Sequence, residues 1–163
     1  MAKNADSITL GLGDLSVDGV NVGYLGGTVV FSADMDFQDW DAGVPVTVRD
    51  RSLTGFKASL KASLAQLDLD ALQLSLGIGT VSNNSSRLNL GTSWDLPTLS
   101  GISFVHTRDD GHTVTIYFPK AKIEPGNFTL NFSTNDFIYQ DVTITAIYDS
   151  TSASCPLGYI EIT

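Results

Sequence analysis

The sequence predicts a mainly β domain in which one short α-helix packs on a sheet. Apolar and polar residues alternate along residues 28–37, 56–64 and 141–148. A period of two places alternate side chains on opposite faces of a strand. After residue 68 the apolar spacing becomes helical. Asp-Gly and Pro-Gly pairs separate several of the predicted strands, as is typical of tight turns.

Length and composition suit one ordinary globular domain spanning residues 1–163. The chain has 163 residues, of which 42% are hydrophobic and 17% charged. Its formal net charge of −9 disfavours nucleic-acid binding at long range. The single cysteine, Cys155, cannot form an internal disulfide or a cysteine-based metal site. No apolar run is long enough to span a bilayer, so we expect no membrane insertion.

The N-terminal part is expected to contain an arm, a hairpin and a strand. Residues 1–8 are predicted to be mobile. Residues 14–23 predict a β-hairpin that turns at Asp18-Gly19. Residues 26–37 predict a strand with apolar residues on one face. The other face carries Ser32, Asp34 and Asp36, and no basic residue.

Residues 38–52 have no firm period. Trp40, Gly43 and Pro45 interrupt a strand pattern, so the segment is either a long loop or a loop leading into the next strand. Loops of this length in compact domains are usually functional or disordered. A monomer gains little by exposing apolar residues here. The candidate interaction residues of this segment are Asp39, Trp40, Asp41, Val44, Val46, Arg49 and Arg51.

Residues 53–77 predict a long strand followed by a short helix. Asp68 is placed to cap this helix and Gly77 to end it. Leucines also recur every seven residues, as in a coiled coil. However, the alternate heptad position holds polar residues, and Thr54 and Gly55 are poor helix formers, so strand-then-helix is preferred. The predicted packing residues of the helix are Leu69, Leu72 and Leu76.

The C-terminal half predicts loops followed by an orderly series of strands. Residues 77–100 are rich in Asn, Ser, Gly and Thr, with Trp94 and Leu96 as possible anchors. Residues 102–107 and 112–119 predict a hairpin that continues to residue 124, and further strands are expected around 128–132 and 141–148. Residues 158–163 fit either an edge strand or a swapped arm.

No pattern supports catalysis or a bound cofactor. His106 and His112 are expected to face each other across a predicted hairpin, near Asp109 and Asp110, but histidines on an exposed hairpin are more often solvated than metal-bound. The four aspartates between residues 34 and 41 lack the glycine and glutamate of a calcium loop. We therefore expect no enzyme activity and no catalytic, metal or cofactor-binding residues. Lys57 and Lys61, on the polar face of the long strand, either pair with acids on a neighbouring strand or subunit or are solvated.

The order of these elements resembles the major tail tube proteins of long-tailed bacteriophages. The resemblance is carried by LSVDGVNVGYLGGTVVF near the start, TGFKASLKASLAQLDLDALQLSLG in the middle and VTIYFPKAKIEPGNFTLNFSTNDF near the end. It extends over roughly residues 11–148. The residues 77–100 and the C-terminal SASCPLGYIEIT match no pattern of that family.

The resemblance implies an antiparallel β-sandwich or barrel with one packed helix, related in fold to the type VI secretion tube protein. Such subunits form hexameric rings that stack into a tube through which double-stranded DNA passes into the host without specific binding. It also implies tape measure, terminator and baseplate proteins as partners, and a place in the virion tail after assembly in the host cytoplasm. The segment 38–52 would reach a neighbouring ring, and Ser32, Asp34 and Asp36 would face the lumen.

Two other functions stay open at this point. The chain could be another assembly subunit of the same fold, such as a tail-completion, baseplate-hub or secretion-tube protein. It could also be a ligand-binding β-sandwich.

Two physical arguments agree with a tube. Acidic residues in a lumen would avoid the phosphate contacts that Lys and Arg make. Stacked rings would also cover exposed sheet edges.

Overall fold

The structure, a computed structural model, describes residues 13–22, 25–42, 46–65, 69–82, 86–91, 95–108, 110–124 and 140–163. In these residues lie ten strands and one helix. They are β1 (Asp14–Val17), β2 (Val20–Asn21), β3 (Val30–Ala42), β4 (Thr47–Leu64), α1 (Leu69–Leu76), β5 (Thr80–Ser82), β6 (Arg87–Asn89), β7 (Thr98–Thr107), β8 (Thr113–Ile123), β9 (Gln140–Ala146) and β10 (Tyr159–Ile162).

One antiparallel sheet of eight strands dominates the fold. Its strands follow the order β2-β1-β7-β8-β9-β4-β3, and β10 pairs with β8 beside this path. Strands β5 and β6 form a separate hairpin. The prediction of a mainly β, antiparallel fold is confirmed. The path is open at β2 and β3, so the described strands do not close into a barrel.

The hydrophobic core lies on one face of this sheet. Alternate residues of its central strands are buried, among them Leu60 in β4, Phe118 in β8 and Ile144 in β9. Leu15 of β1 and Leu25, which bridges to Leu64, are buried with them. The period-two pattern therefore identified the buried face of β4 and β9 correctly.

The first hairpin turns where the sequence predicted. Asp18 and Gly19 both have positive φ, of 52° and 76°. A two-residue turn with two positive φ angles is the type I′ geometry that matches the twist of a hairpin, and it favours Asp or Asn followed by Gly. Ser16 and Val17 pair with Asn21 and Val20 across it.

The strand-then-helix prediction for residues 53–77 is also confirmed, which excludes a continuous helix over the described part of this stretch. β4 runs to Leu64 and α1 ends beside Gly77, whose amide donates to the carbonyl of Gln73 and whose φ is +69°. A left-handed glycine at this position is a common helix terminator. Leu69, Leu72 and Leu76 are each only half-buried, and Leu74 packs against the core.

Other predictions have mixed outcomes. The β7–β8 hairpin is confirmed, but His106 lies opposite Val114 and is buried, so it does not face the exposed His112. Residues 77–100 contain the β5–β6 hairpin and the start of β7. The tail forms β10 on its own β8. Predictions that concern residues 1–8, Val44, Asp68, Trp94 and residues 128–132 fall outside the described residues.

Candidate functional site

The most distinctive feature of the fold is a two-stranded arm at one edge of the sheet. β3 pairs with β4 along its whole length, whereas β9 covers only Ser59–Leu64 of β4. Beyond that point neither strand pairs with a further strand of the described part. We call residues 34–42 and 46–57 the arm. At about 3.3 Å per residue, its longer strand spans about 35 Å.

The expectation of a long loop over residues 38–52 is wrong for its described residues. β3 continues to Ala42 and β4 starts at Thr47. Trp40 lies opposite Asp50, and Asp39 lies opposite Arg51. Of the seven candidate interaction residues, all except Val44, which is not described, lie on this hairpin and are exposed. Their proposed contact with a neighbouring subunit remains a prediction.

One face of the arm carries a row of large apolar side chains. Met35 lies opposite Phe56, and Phe37 lies opposite Leu53. Their exposed fractions are 51% for Met35, 41% for Phe56, 53% for Phe37 and 55% for Leu53. We call these four residues the apolar row. The same face continues inward through Ala58 to the core, so the row is an uncovered extension of the core surface.

An ion pair lies beyond the apolar row on the same face. Arg51 donates from Nη2 to Asp39 at 2.9 Å and from Nε to the other carboxylate oxygen at 2.5 Å. The guanidinium carbon lies 5.7 Å from the centre of the Phe37 ring, within cation–π distance. The hydrogen bond from Arg51 lowers the pKa of Asp39. This exposed pair orders the side chains but adds little stability.

The tip of the arm is apolar as well. Trp40 is 54% exposed, and its indole Nε1 donates to the hydroxyl of Ser52 at 2.9 Å. Val46 and Val48 are also exposed. Trp40 lies on the face opposite to Phe37, because residues three apart in a strand point in opposite directions. The arm therefore presents apolar side chains on both faces near its tip.

An apolar cavity of about 170 Å³ opens at the base of the arm. Phe31, Phe56 and Ala58 line it from the arm side and Phe118 from β8. Leu157, just before β10, and Tyr159, the first residue of β10, line the other side. Tyr159 itself stacks on Tyr117, with ring centres 5.2 Å apart. The cavity adjoins the apolar row through Phe56, which is half exposed.

The opposite side of the sheet at this edge is polar, as the sequence predicted. Ser32, Asp34 and Asp36 alternate with the apolar residues of β3 and lie opposite Ser59, Lys57 and Gly55 of β4. We call this surface the polar face. It continues from β3 across β4 and β9 to the end of β8. The three candidate lumen residues thus share one face. The structure by itself does not define a lumen, so their role there remains a prediction.

The lysines of the polar face are paired within the chain. Lys57 forms an ion pair with Glu124, and Lys61 Nζ lies 3.2 Å from Asp141 Oδ2. The hydrogen bond from Lys57 lowers the pKa of Glu124. The pKa of Asp141 is lowered first by the Ser63 hydroxyl, which donates at 2.6 Å, and then by Lys61. Lys61 therefore pairs with an acid on the neighbouring strand β9, as one sequence alternative had it, whereas Lys57 pairs with an acid one strand further away.

The described residues contain no cluster of three or more metal-ligating side chains. Asp39 and Asp41 point away from Asp34 and Asp36 because the pairs occupy opposite faces of β3. The calcium arrangement considered above is therefore not formed. No helix of the described part is long and apolar enough to cross a membrane.

Sequence reasoning missed two features of this site. Glu124 and Asp141 are far from the lysines in sequence, and only the β8-β9-β4 strand order brings them together. The four residues of the apolar row lie in two predicted strands, but the sequence alone did not show that these strands pair with each other beyond the rest of the sheet. Comparison with known proteins adds no assignment: no protein-family model and no curated protein matches the chain.

Proposed function

We propose that this protein is a structural subunit of a bacteriophage tail tube, which polymerises as stacked hexameric rings and forms the conduit for double-stranded DNA. The observation that carries the proposal is the apolar row on the projecting arm. Four large side chains continue from the core and stay between 41% and 55% exposed in the single chain. Contiguous apolar surface of this kind marks an interaction site.

The shape of the arm favours an open-ended assembly. In a stack of rings, an arm that projects from one edge would contact a different surface on the next copy, which is a heterologous contact. Heterologous contacts close into rings or continue into filaments, and a stack of rings uses both. The outer edge of β3 adds a row of backbone groups that no described strand pairs. A neighbouring subunit would cover both the edge and the apolar row.

The polar face supports a conduit for DNA. Asp34 and Asp36 carry negative charge along β3, and the nearby Lys57 and Lys61 are engaged with carboxylates. A wall of this charge makes few phosphate contacts. In the proposed tube Ser32, Asp34 and Asp36 face the lumen, and the tape measure, terminator and baseplate proteins contact the tube interior or its ends.

Electron microscopy of the purified chain over a concentration series tests the proposal. We expect rings or tubes at high concentration and monomers after dilution. The informative variant replaces residues 39–51 by Asn-Gly, which joins the facing residues Gln38 and Ser52 through a two-residue type I′ turn. It should keep the β-sheet circular dichroism spectrum and remain monomeric.

The outcomes separate the alternatives. Dispersed monomers of the unmodified chain at every concentration would reject a tube subunit and favour a ligand-binding domain, for which the cavity near Phe118 is the place to seek a ligand. Closed rings that never elongate would favour a tail-completion, baseplate-hub or other assembly subunit. Tubes formed by the shortened variant would show that the outer part of the arm, residues 39–51, is not needed for stacking.

A further inference from the structure

We propose that the polar face is prevented from binding duplex DNA by intrachain pairing of its lysines, with the Glu124 and Asp141 carboxylates standing where phosphate oxygens would otherwise bind. This extends the proposed function, since it names the residues that would keep the conduit from retaining its DNA. The binding behaviour itself is a property of the single chain.

The first pair joins two strands that are not neighbours. Lys57 is on β4 and Glu124 follows β8, and β9 lies between these strands in the sheet. The hydrogen bond to Glu124 raises the pKa of Lys57, and the charge of Asp34, directly opposite on β3, acts in the same direction. Lys57 is therefore paired with one carboxylate and lies across the strand pair from a second.

The second pair is anchored by a third residue. Asp141 accepts from the Ser63 hydroxyl through Oδ1 and approaches Lys61 Nζ through Oδ2. The serine fixes the carboxylate, so one of its oxygens stays directed at the lysine. A phosphate oxygen also carries negative charge and would compete for the same Nζ group.

The two pairs contribute to the charge of the described part of this face. Asp34, Asp36, Glu124 and Asp141 surround Lys57, Lys61 and Lys122, and Lys122 lies on this face opposite Thr145. Lys120 lies on the same face further along β8, opposite Ser100, and interacts electrostatically with Asp149. Counted together, these five carboxylates and four lysines give −1 for each subunit. Neutralising Glu124 and Asp141 would change this to +1. Lys57 and Lys61 are four residues apart on one strand, about 13 Å, and could then reach separate phosphates.

The pairs need not be strong to act in this way. All four side chains are about half exposed, and exposed pairs contribute little to stability. However, a phosphate that displaces a carboxylate from its lysine leaves that carboxylate nearby and unpaired. The negative charges of phosphate and carboxylate then repel each other, so displacement gains little. Binding is weakened although each pair exchanges easily.

The test measures binding of a fluorescent duplex DNA of about 30 base pairs to the purified chain by anisotropy, across a salt series. The unmasked variant is Glu124→Gln with Asp141→Asn, which keeps side-chain shape and polar capacity. With three available lysines, the slope of log affinity against log salt should be about −2.7. Affinity should therefore fall about forty-fold between about 50 and about 200 mM salt.

Two controls isolate the pairing. The first control, Asp14→Asn with Asp18→Asn, changes the net charge by the same amount as the unmasked variant. Its substitutions lie on the β1–β2 hairpin, beyond β7 in the strand order, so it should bind DNA no better than the unmodified chain. Adding Lys57→Gln and Lys61→Gln to the unmasked variant should abolish the gain. If the double variant does not fold, each single variant decides the question, with an expected slope change of about 0.9 per released lysine.

Equal DNA binding by the unmasked variant and the Asp14/Asp18 control would overturn the proposal, because net charge alone would then explain the gain. So would the absence of binding by a folded unmasked variant at low salt. Neither result depends on assembly, which electron microscopy measures separately. If the chain forms tubes but shows no masking effect, the proposed tube function stands and the masking proposal is rejected. If masking is found but no tubes form, only the proposed tube function is rejected.

Discussion

Phe37 offers a quantitative test of the arm as an assembly surface. A Phe side chain buries about 150–250 Å² when fully covered. At 53% exposure, about 100 Å² of Phe37 is still accessible in the single chain. At about 25 cal/mol per Å², covering that area in an assembly contributes about 2.5 kcal/mol. Phe37→Thr keeps a strand-favouring residue but removes this contribution.

The expected result is a rise of about sixty-fold in the critical concentration for assembly, since about 1.4 kcal/mol corresponds to a tenfold change. Phe37→Thr also removes the contacts that the buried part of Phe37 makes within its own chain. This loss is the same in the free chain and in the assembly, so it does not change the critical concentration. Sedimentation of assembled material over a dilution series measures the critical concentration. Urea unfolding of the monomer reports separately on any loss within the single chain.

Leu90 provides the matched control. It is 68% exposed but lies outside the arm, directly after β6. Leu90→Ser should leave the critical concentration within about threefold of the unmodified chain. The reasoning fails if Phe37→Thr behaves in the same way as this control while its far-ultraviolet spectrum remains native.

Three further outcomes are expected. Because a two-stranded ribbon without a second layer opens easily, amides of residues 38–52 should exchange rapidly in the monomer although the described ones lie on paired strands, and they should become protected in tubes; equal protection in both would remove the arm from the contact. Asp34→Lys with Asp36→Lys should fold and assemble but eject DNA slowly at low salt, with relief by added salt, and normal low-salt ejection would place this face outside the lumen. Because the folded pKa of Glu124 is lowered, its pairing stabilises the fold above its ordinary pKa of 4.5 and this stability is lost as pH falls through the folded pKa. Urea unfolding should therefore find Glu124→Gln less stable by up to about 1 kcal/mol near pH 6 and no less stable near pH 3; the same difference at both pH values would contradict an ionic origin.

Much of the fold could be predicted because its signals are local. The Asp18-Gly19 turn depends on two backbone conformations that these residues adopt readily. The helix end depends on Gly77, and the faces of β9 follow from strict alternation. Each of these predictions required only neighbouring residues, and each is confirmed.

The arm was predicted incompletely because its alternation is interrupted. The register between β3 and β4 shifts after Asp36 and again after Trp40. Each shift inserts one residue of β4, near Thr54 and Arg49, and an inserted residue reverses which face the following side chains occupy. Leu53 and Phe56 therefore share a face although their spacing is odd. A fixed period of two cannot identify such a strand, and the breakers near Pro45 suggested a loop instead.

In the proposed tube, the two faces of the arm would link assembly to the conduit. An isolated two-stranded ribbon is at best marginally stable in water, and the arm has no second layer among the described residues. In the proposed tube, a neighbouring subunit that covers Phe37 and Leu53 would supply that layer. Because successive side chains of a strand point to opposite faces, covering this row turns Asp34 and Asp36 away from the contact. The contact that orders the arm would thus direct its carboxylates to the uncovered side. Assembly and a DNA-repelling wall would then follow from the same alternation in β3.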